Sequence, residues 1–473
     1  MNNTGTTDRL LALIREGKPL TRSEQIHLTV LLSIPAIITQ LSSIAMQYID
    51  ASMVGSLGAN ASASIGLMST STWLFGGLCS AAAIGFSVQV AHCIGAGDWQ
   101  RARSVLRQGM TATLLFSLVM AAIGSGISGA LPRWLGGDEI IRRDASLYFL
   151  IYSLFLPALQ MNYLAGSMLR CSGNMRVPSM TGVLMCLLDV VFNFFLIFPS
   201  RHVSLFGQPV FMPGAGMGVE GAALGTALAE LTAAAILLWY LFARSSGLNI
   251  SNWKPKDFMP RLQVLKKALH IGLPMGVEHT VICGAQIMTT VIVAPLGIFS
   301  IAANSFAITA ESLCYMPGYG IADAATTLIG QSLGAGRKKL TKSFAYITVF
   351  MGMAVMGIMG VAMYIFAPQI IGIMTPVEEI RELGVMALRI EAFAEPMFAA
   401  AIVAYGVFVG AANTLVPCLM NFFSIWAVRL SLAALLAPSM GLKGVWIAMC
   451  VELCFRGSIF LLRLWKGRWM KTA

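Results

Sequence analysis

The chain has 473 residues, of which 57% are hydrophobic and only 11% are charged. A soluble protein carries about 25% charged residues, so this chain cannot assemble a water-exposed surface and is predicted to be an integral membrane protein. Its net charge of +11 does not indicate nucleic-acid binding, because most of the basic residues lie in alternate loops between apolar segments.

Apolar stretches long enough to cross a bilayer recur along the whole chain, and each is predicted to form a helix, the fold that satisfies its own backbone in lipid. The twelve predicted helices cover residues 26–54, 62–94, 104–128, 144–169, 178–198, 217–243, 268–293, 300–333, 343–366, 383–409, 417–437 and 444–465. The polar residues 1–25 show no signal peptide. The predicted fold class is therefore an all-α integral membrane protein with twelve transmembrane helices.

The second half of the chain repeats the first at a constant offset of 239 residues. The matching pairs include Pro35 with Pro274, Gln47 with Gln286, Gly58 with Gly297, Pro157 with Pro396, and residues 95–97 with residues 334–336. Near the end of each half the offset drops to 223, which places a 16-residue insertion between Phe198 and Gly216. Two copies of one apolar unit are typical of secondary transporters, whose substrate site lies between the repeats.

Basic residues predict the orientation in the membrane. One set of alternate loops holds 23 of the 32 Lys and Arg residues, whereas the opposite set holds six. By the positive-inside rule both termini face the cytoplasm. Because the equivalent Gly-Ala-Gly loops fall on one side, the repeats are parallel. The predicted domains are an N-terminal six-helix lobe (1–243), a cytoplasmic linker (244–267) and a C-terminal six-helix lobe (268–473).

Acidic residues within membrane helices are expected to have a function or a binding partner, because each costs about 2.5–3.5 kcal/mol at the bilayer centre on insertion scales. In the first half, Asp50, Asp189, Asn193 and Thr226 are predicted to form one oxygen-rich pocket for a proton or a sodium ion. Glu230 lies one turn after Thr226 and is a weaker candidate for that pocket. The alternative for each acid is simple pairing with a neighbouring helix.

The second half holds its acids at other positions. Glu278 and Glu311 are predicted to form a cation-attracting wall of the substrate cavity, together with the repeat-related glutamines Gln47 and Gln286. We expect Glu391 to pair with Arg389. Glu452 and Arg456 are four residues apart on one predicted helix, a spacing that favours a structural ion pair.

Several strings resemble the multidrug and toxic compound extrusion (MATE) transporters of bacteria. They are residues 46–55 (MQYIDASMVG), 311–318 (ESLCYMPG), 330–336 (GQSLGAG) and the pair Glu395-Pro396. The resemblance implies a V-shaped, twelve-helix antiporter that exports cationic, amphipathic drugs in exchange for protons or sodium. It also implies that Asp50 is the coupling acid and that Pro35, fifteen residues earlier, is a hinge.

One departure from the family concerns the fifth helix. The family often has N-x-x-x-D there, whereas this chain has Asp189 and Asn193 in the opposite order. The resemblance implies that Thr226 matches the family's threonine in helix 6. The swapped order retains the charge of the pocket but changes its predicted geometry.

The resulting hypothesis is a monomeric transporter in the cytoplasmic membrane, not an enzyme. It needs no cofactor besides H⁺ or Na⁺ as coupling ion, and its partners are small cationic substrates and the lipid bilayer, with no nucleic acid. One alternative is a flippase for a lipid-linked precursor, which predicts basic residues along the central cavity. A membrane-embedded enzyme is the other, but no nucleophile or metal cluster is found in the sequence.

Overall fold

The structure is a computed structural model that describes residues 3–205, 208–245, 247–250 and 254–470. Within these residues, nine single helices are long and apolar enough to span a membrane, and two bent helix pairs raise that number to eleven. The twelfth predicted span is the helix Ile298–Gly334, which is as long as the longest of the others but carries Glu311 and Asp323.

Helices of the first half follow the predicted order. They are α1 (Asn3–Arg15), α2 (Arg22–Gly55), α3 (Ala59–Gly95), α4 (Trp99–Ile127), α5 (Leu131–Trp134), α6 (Glu139–Leu154), α7 (Leu156–Cys171), α8 (Arg176–Ile197) and α9 (Val219–Ala243). The inserted segment between α8 and α9 forms an antiparallel hairpin of β1 (Pro199–Leu205) and β2 (Gln208–Ala215). The insertion deduced from the change of offset is thus a separate element added to the repeat.

The second half repeats this arrangement. Its helices are α10 (Leu262–Val293), α11 (Ile298–Gly334), α12 (Lys338–Met374), α13 (Glu378–Ala392), α14 (Glu395–Gly410), α15 (Leu415–Phe422), α16 (Ser431–Met440) and α17 (Leu442–Lys466). A π-helical segment, Phe423–Leu430, joins α15 to α16. Since α10 begins at Leu262, the connection between the halves is shorter than the predicted linker.

Polar capping residues extend several helices beyond their apolar stretches. Thr21 Oγ1 accepts a hydrogen bond from the Glu24 amide at 3.2 Å, and the Glu24 carboxylate accepts one from the Thr21 amide at 2.9 Å. Asp98 Oδ1 accepts from the Arg101 amide at 2.9 Å. These caps satisfy the free amides of a helix start, so α2 and α4 begin four to five residues before the predicted limits.

Prolines break two of the predicted helices but not the others. The predicted helix 144–169 is the pair α6 and α7, bent by 47°, and the predicted helix 383–409 is the pair α13 and α14, bent by 60°. Pro157 and Pro396 lie in the first turn after each break, where a missing amide is tolerated. The chain therefore bends at these two prolines, whereas α2 and α10 continue through Pro35 and Pro274.

Helix α1 was not predicted. Its side chains Leu10, Leu11 and Ile14 are buried in a core cluster with residues of α11, α12 and α14. Three apolar residues in a polar segment are too few for a membrane span, but their helical spacing makes one apolar face. The first helix of the chain therefore packs against α2 of its own half and against the second repeat.

A symmetric pair of contacts joins the two halves at the end that carries the Gly-Ala-Gly loops. His92 Nε2 lies 2.7 Å from the carbonyl oxygen of Gly410, and Gln331 Nε2 donates to the carbonyl of Cys171 at 2.8 Å. His92 and Gln331 are 239 residues apart, as are Cys171 and Gly410. The offset seen in the sequence is thus also a spatial symmetry, as expected for parallel repeats.

Two glycines make this contact close. A Cβ on Gly95 would lie 2.0 Å from the Gln331 carbonyl oxygen, and one on Gly334 would lie 2.2 Å from the His92 carbonyl oxygen. A side chain at either position would separate the helices. These glycines are also 239 residues apart, so the same requirement is met in both repeats.

Candidate functional site

Three helices of the first half bring the predicted pocket residues together. Helices α2, α8 and α9 pack against one another, and they carry Asp50, Asp189 with Asn193, and Thr226 respectively. Asp189 and Asn193 are one turn apart on α8, so their side chains share a face of that helix. The packing of α8 between α2 and α9 positions this face towards both partners.

Asn193 is the central residue of the pocket. Its Nδ2 donates hydrogen bonds to Asp50 Oδ1 at 2.9 Å and to Asp189 Oδ2 at 3.1 Å. The Asp50 and Asp189 carboxyl groups lie within electrostatic range of each other, and Thr226 lies close to Asp189. The four predicted residues therefore form one connected polar cluster.

This cluster is buried at one end and open at the other. Asp189 and Asn193 are fully buried, whereas Asp50 is half-buried. Among the described residues, Asp189 Oδ1 and Asn193 Oδ1 have no hydrogen-bond donor, and no Lys, Arg or His forms an ion pair with Asp50 or Asp189. Two carboxyl groups and further oxygen atoms thus converge without a cationic side chain.

Two residues that support the cluster were not predicted. A Cβ on Gly225 would lie only 2.0 Å from Asn193 Oδ1, so only glycine lets α9 approach this close. Tyr148 of α6 lies within electrostatic range of both aspartates. Gly225 directly precedes Thr226, but a glycine in an Ala-rich helix carries no sign of which side chain it faces.

Glu230 lies next to the cluster with a partner of its own. Its Oε2 accepts a hydrogen bond from Asn162 Nδ2 of α7 at 2.5 Å. Asp189 lies within its electrostatic range. Glu230 is therefore a neighbour of the pocket with a separate hydrogen bond.

The predicted cavity acids of the second half are both buried but have different surroundings. Glu278 accepts hydrogen bonds from Tyr405 Oη and, at 2.5 Å, from Asn421 Nδ2. No hydrogen bond between Glu278 and Glu311 is found in the described part of the chain, although both lie within electrostatic range of Tyr319. The glutamines Gln47 and Gln286 are exposed.

Glu311 belongs to a group of three buried glutamates. Its carboxyl lies within electrostatic range of Glu391 and Glu395, which are fully buried. No hydrogen-bond partner for the carboxyl oxygens of Glu391 and Glu395 is found in the described residues.

The expected pairing of Glu391 with Arg389 is wrong. Arg389 lies on a different side of α13, where its Nε donates to the Tyr364 carbonyl at 3.3 Å and its guanidinium lies 5.3 Å from the Tyr364 ring. Residues two positions apart on a helix point in different directions. The sequence proximity was therefore misleading.

The expected ion pair between Glu452 and Arg456 is confirmed, and it has a third member. Arg456 Nε donates to Glu452 Oε1 at 2.8 Å, and Arg429 NH2 donates to Glu452 Oε2 at 2.6 Å. Arg429 lies in the π-helical segment, a local widening of the helix that often redirects side chains. Glu452 is fully buried, so two cations and the Ser424 hydroxyl satisfy it.

Pro35 lies on the same helix as Asp50. The helix α2 is continuous through it, and Thr39 Oγ1 donates to the Pro35 carbonyl at 3.0 Å. No group of three His, Cys, Asp or Glu placed to hold a metal ion occurs within the described ranges. The pocket therefore offers oxygen atoms without a dedicated metal centre.

Comparison with known proteins identifies the family to which this chain belongs. A sequence model of the family described as MatE matches residues 35–195 and 274–435, which are the two repeats. The chain belongs to the MatE family. Members of this family are transporters and not enzymes, so the two-lobed, V-shaped bundle of twelve helices is that of a membrane transporter.

Relatives of this MatE protein extend over nearly its whole length. The probable multidrug resistance protein NorM of Thermotoga maritima is 26% identical over 98% of this chain and 96% of its own. The multidrug resistance protein MdtK of Yersinia pestis is 25% identical over 93% and 94%. A transporter of the MOP superfamily from Pyrococcus furiosus has the same fold, with a TM-score of 0.87, 20% identity and coverage of 98% and 99%.

Proposed function

We propose that this MatE transporter is a secondary active antiporter that exports cationic, amphipathic compounds in exchange for protons or sodium. Its relatives named for multidrug resistance support the efflux of drugs from bacterial cells. The proposed location is the inner membrane, with both termini in the cytoplasm, where the basic loops would lie.

The observation that carries the proposal is the cluster of Asp50, Asp189 and Asn193. Two carboxyl groups that accept from the same Asn193 amide can bind a proton at either group, and they have no basic partner among the described residues. Only Asp50 is partly exposed. An ion would therefore enter at Asp50 and bind next to Asp189.

Export follows from competition for this charge. In the outward-open state Asp50 binds the coupling ion, and a cationic cargo near it loses its counter-charge and leaves. A shift of α2 at Pro35 accompanies this exchange, because the missing amide of proline weakens the helix there. Ion and cargo then oppose each other's binding to the same degree, as linkage requires.

The side chains of the pocket could bind either coupling ion. The oxygen atoms of Asp50, Asp189, Asn193 and Thr226 are of the kind that hard cations such as sodium prefer. Asp189 Oδ1 and Asn193 Oδ1, which lack donors among the described residues, would complete the set. A proton needs only the two carboxyl groups.

The flippase alternative is disfavoured by the second half. Its intramembrane arginines Arg429 and Arg456 both bind Glu452, and the buried Glu311 lies within electrostatic range of both. Glu278 and Glu311 instead add negative charge, which suits a cationic cargo. We assign these two glutamates, with the exposed Gln47 and Gln286, to the wall of the substrate cavity.

The replacement Asp50→Asn tests the proposal in efflux-deficient cells. We expect wild type to lower the accumulation of a fluorescent cationic dye and the variant to accumulate as much dye as cells treated with an uncoupler, because the coupling charge is absent. Asp138→Asn makes the same change on an exposed loop and is expected to export like wild type. Gradient-driven export by Asp50→Asn would contradict the proposal.

The same assay in membrane vesicles identifies the ion. Dye transport driven by an imposed sodium gradient at constant pH indicates sodium, and transport driven by an imposed pH gradient without sodium indicates protons. Folding of each variant is checked by its amount in the membrane.

A further inference from the structure

A cavity of about 550 Å³ lies on the basic face of the protein, away from the coupling cluster. Its walls come from α1, from the start of α4, from the loop before α8 and from the segment that follows α9. The volume lies within the usual range of small-ligand sites, roughly 300–1,000 Å³. Export of a cationic cargo does not use this cavity.

The lining of the cavity is positively charged. It contains the guanidinium groups of Arg15, Arg103 and Arg176, whereas its one carboxylate is Asp8. In the described part of the chain, neither Arg15 nor Arg103 forms an ion pair. Burial lowers the pKa of the Arg15 guanidinium, although Asp8 and Glu16 act in the opposite direction.

Neighbouring groups hold two of these arginines in place. Arg103 Nε donates to the Gly247 carbonyl at 3.1 Å, which fixes the guanidinium while its terminal nitrogens remain available. Arg15 lies 5.2 Å from the centre of the Trp99 ring, an arrangement that orients a cation without neutralising it. A second aromatic wall is Tyr240, whose hydroxyl accepts from Asn174 at 3.2 Å.

We propose that this cavity binds a phosphate-bearing anion. Guanidinium forks match phosphate oxygens with two parallel hydrogen bonds, and fixed forks lose little entropy on binding. The phosphate has two sources, the headgroup of an anionic lipid in the adjacent leaflet or a soluble phosphate. The proposal does not depend on the identity of the coupling ion or of the cargo.

All residues that line the cavity precede the second repeat, but one of its walls, α1, also packs on that repeat. Arg15 belongs to α1, whose apolar face is buried against α11 of the second repeat, while Trp99 and Arg103 belong to the first repeat. A ligand that binds Arg15 and Arg103 together stabilises the arrangement in which α1 lies against the start of α4, because it binds that arrangement better. Since α1 also packs against α11, an anion in this cavity would favour the state in which that contact is made.

Binding is measured on the full chain in nanodiscs of phosphatidylcholine. One arm adds phosphatidylglycerol to the nanodisc, and the other adds inorganic phosphate to the buffer at constant ionic strength. The site variant is Arg15→Gln with Arg103→Gln. The matched control, Arg9→Gln with Arg101→Gln, removes the same charge from exposed positions on the same two helices.

We expect wild type and control to bind one of the two probes with equal affinity and the site variant to lose about tenfold or more. Binding of phosphatidylglycerol alone identifies a lipid site, and binding of inorganic phosphate identifies a soluble ligand. Arg103→Lys keeps the charge without the fork and is expected to bind with intermediate affinity, which keeps the test valid if the double variant does not fold. Equal affinities of site variant and control, or no binding of either probe by wild type, would overturn the proposal.

Discussion

The two lobes share one backbone arrangement, but the buried carboxyl groups at Asp189 and at Glu452 have different partners. In the first lobe Asp50 and Asp189 have a shared amide, Asn193, and no basic partner among the described residues. In the second lobe Glu452 binds both Arg429 and Arg456. The first arrangement leaves two carboxyl groups without a fixed cation among the described residues, whereas in the second two fixed cations bind one carboxylate.

These charges do not follow the repeat. The residue that matches Asp189 in the second lobe is Val428, and the residue that matches Glu452 in the first lobe is Ala229. Glycines and prolines at helix contacts and breaks, in contrast, recur at matched positions. The repeat therefore preserves helix packing, while each lobe has acquired its own polar residues.

The largest expected effect comes from removing the fixed counter-charge in the second lobe. Glu452→Ala leaves two arginines without their carboxylate in a buried site, which we expect to destabilise the protein by about 3–5 kcal/mol. The measurement is the thermal unfolding midpoint in detergent, read with a thiol-reactive dye, since the chain has nine free cysteines. Glu382→Ala, at an exposed position, is the control and should unfold like wild type.

In the first lobe the same kind of change should affect transport instead. Asp189→Asn removes a buried carboxyl group that has no basic partner, so we expect an unchanged unfolding midpoint and a loss of about tenfold or more in coupled dye export. The double variant Asp189→Asn with Asn193→Asp restores the number of carboxyl groups in the order more common in the family. Partial recovery would show that the number of acids matters more than their order, and a lower midpoint for Asp189→Asn would contradict the comparison.

A smaller effect is expected from the contact that holds Asn193. Gly225→Ala places a Cβ against Asn193 Oδ1, and the side chain must move away from the two carboxyl groups. We expect export to fall several-fold but not to vanish, because both acids remain. Gly126→Ala, with open space around the new Cβ, is the matched control, and equal export by the two variants would show that Asn193 needs no fixed position.

The smallest effect is expected at Arg389. Its side chain contacts only the Tyr364 carbonyl and ring in the described structure and does not bind Glu391. Arg389→Gln should change the unfolding midpoint by less than the equivalent of about 0.5 kcal/mol and leave export unchanged. A marked destabilisation would indicate that Arg389 neutralises the buried glutamates after all.

Much of the fold could be predicted because its signals are local or repeated. The apolar stretches predicted the helices, and the change of offset predicted an insertion that proved to be the β-hairpin. The matched prolines were visible in the sequence, but their effects differ, because the chain bends at Pro157 and Pro396 whereas α10 continues through Pro274. Whether a proline breaks a helix depends on the neighbouring helices that support it.

It was harder to predict from the sequence which residues contact one another in each site. The N-x-x-x-D-like spacing of Asp189 and Asn193 placed both on one face of a helix, and the structure connects them to Asp50. Tyr405 and Asn421, which bind Glu278, had no signal in the sequence, since they lie on helices far away in the chain. Arg429, which lies in the π-helical segment, binds Glu452 from a position 23 residues earlier in the chain.

The sequence by itself determined the membrane class, the two repeats, the order of the helices and the acids that need a function, because hydropathy, periodicity and the cost of buried charge depend on the residues alone. Only the tertiary structure decided which acids meet each other, which are neutralised by arginine, and where α1 closes a basic cavity. Those outcomes depend on distances between different helices, and such distances are set by packing rather than by any local pattern.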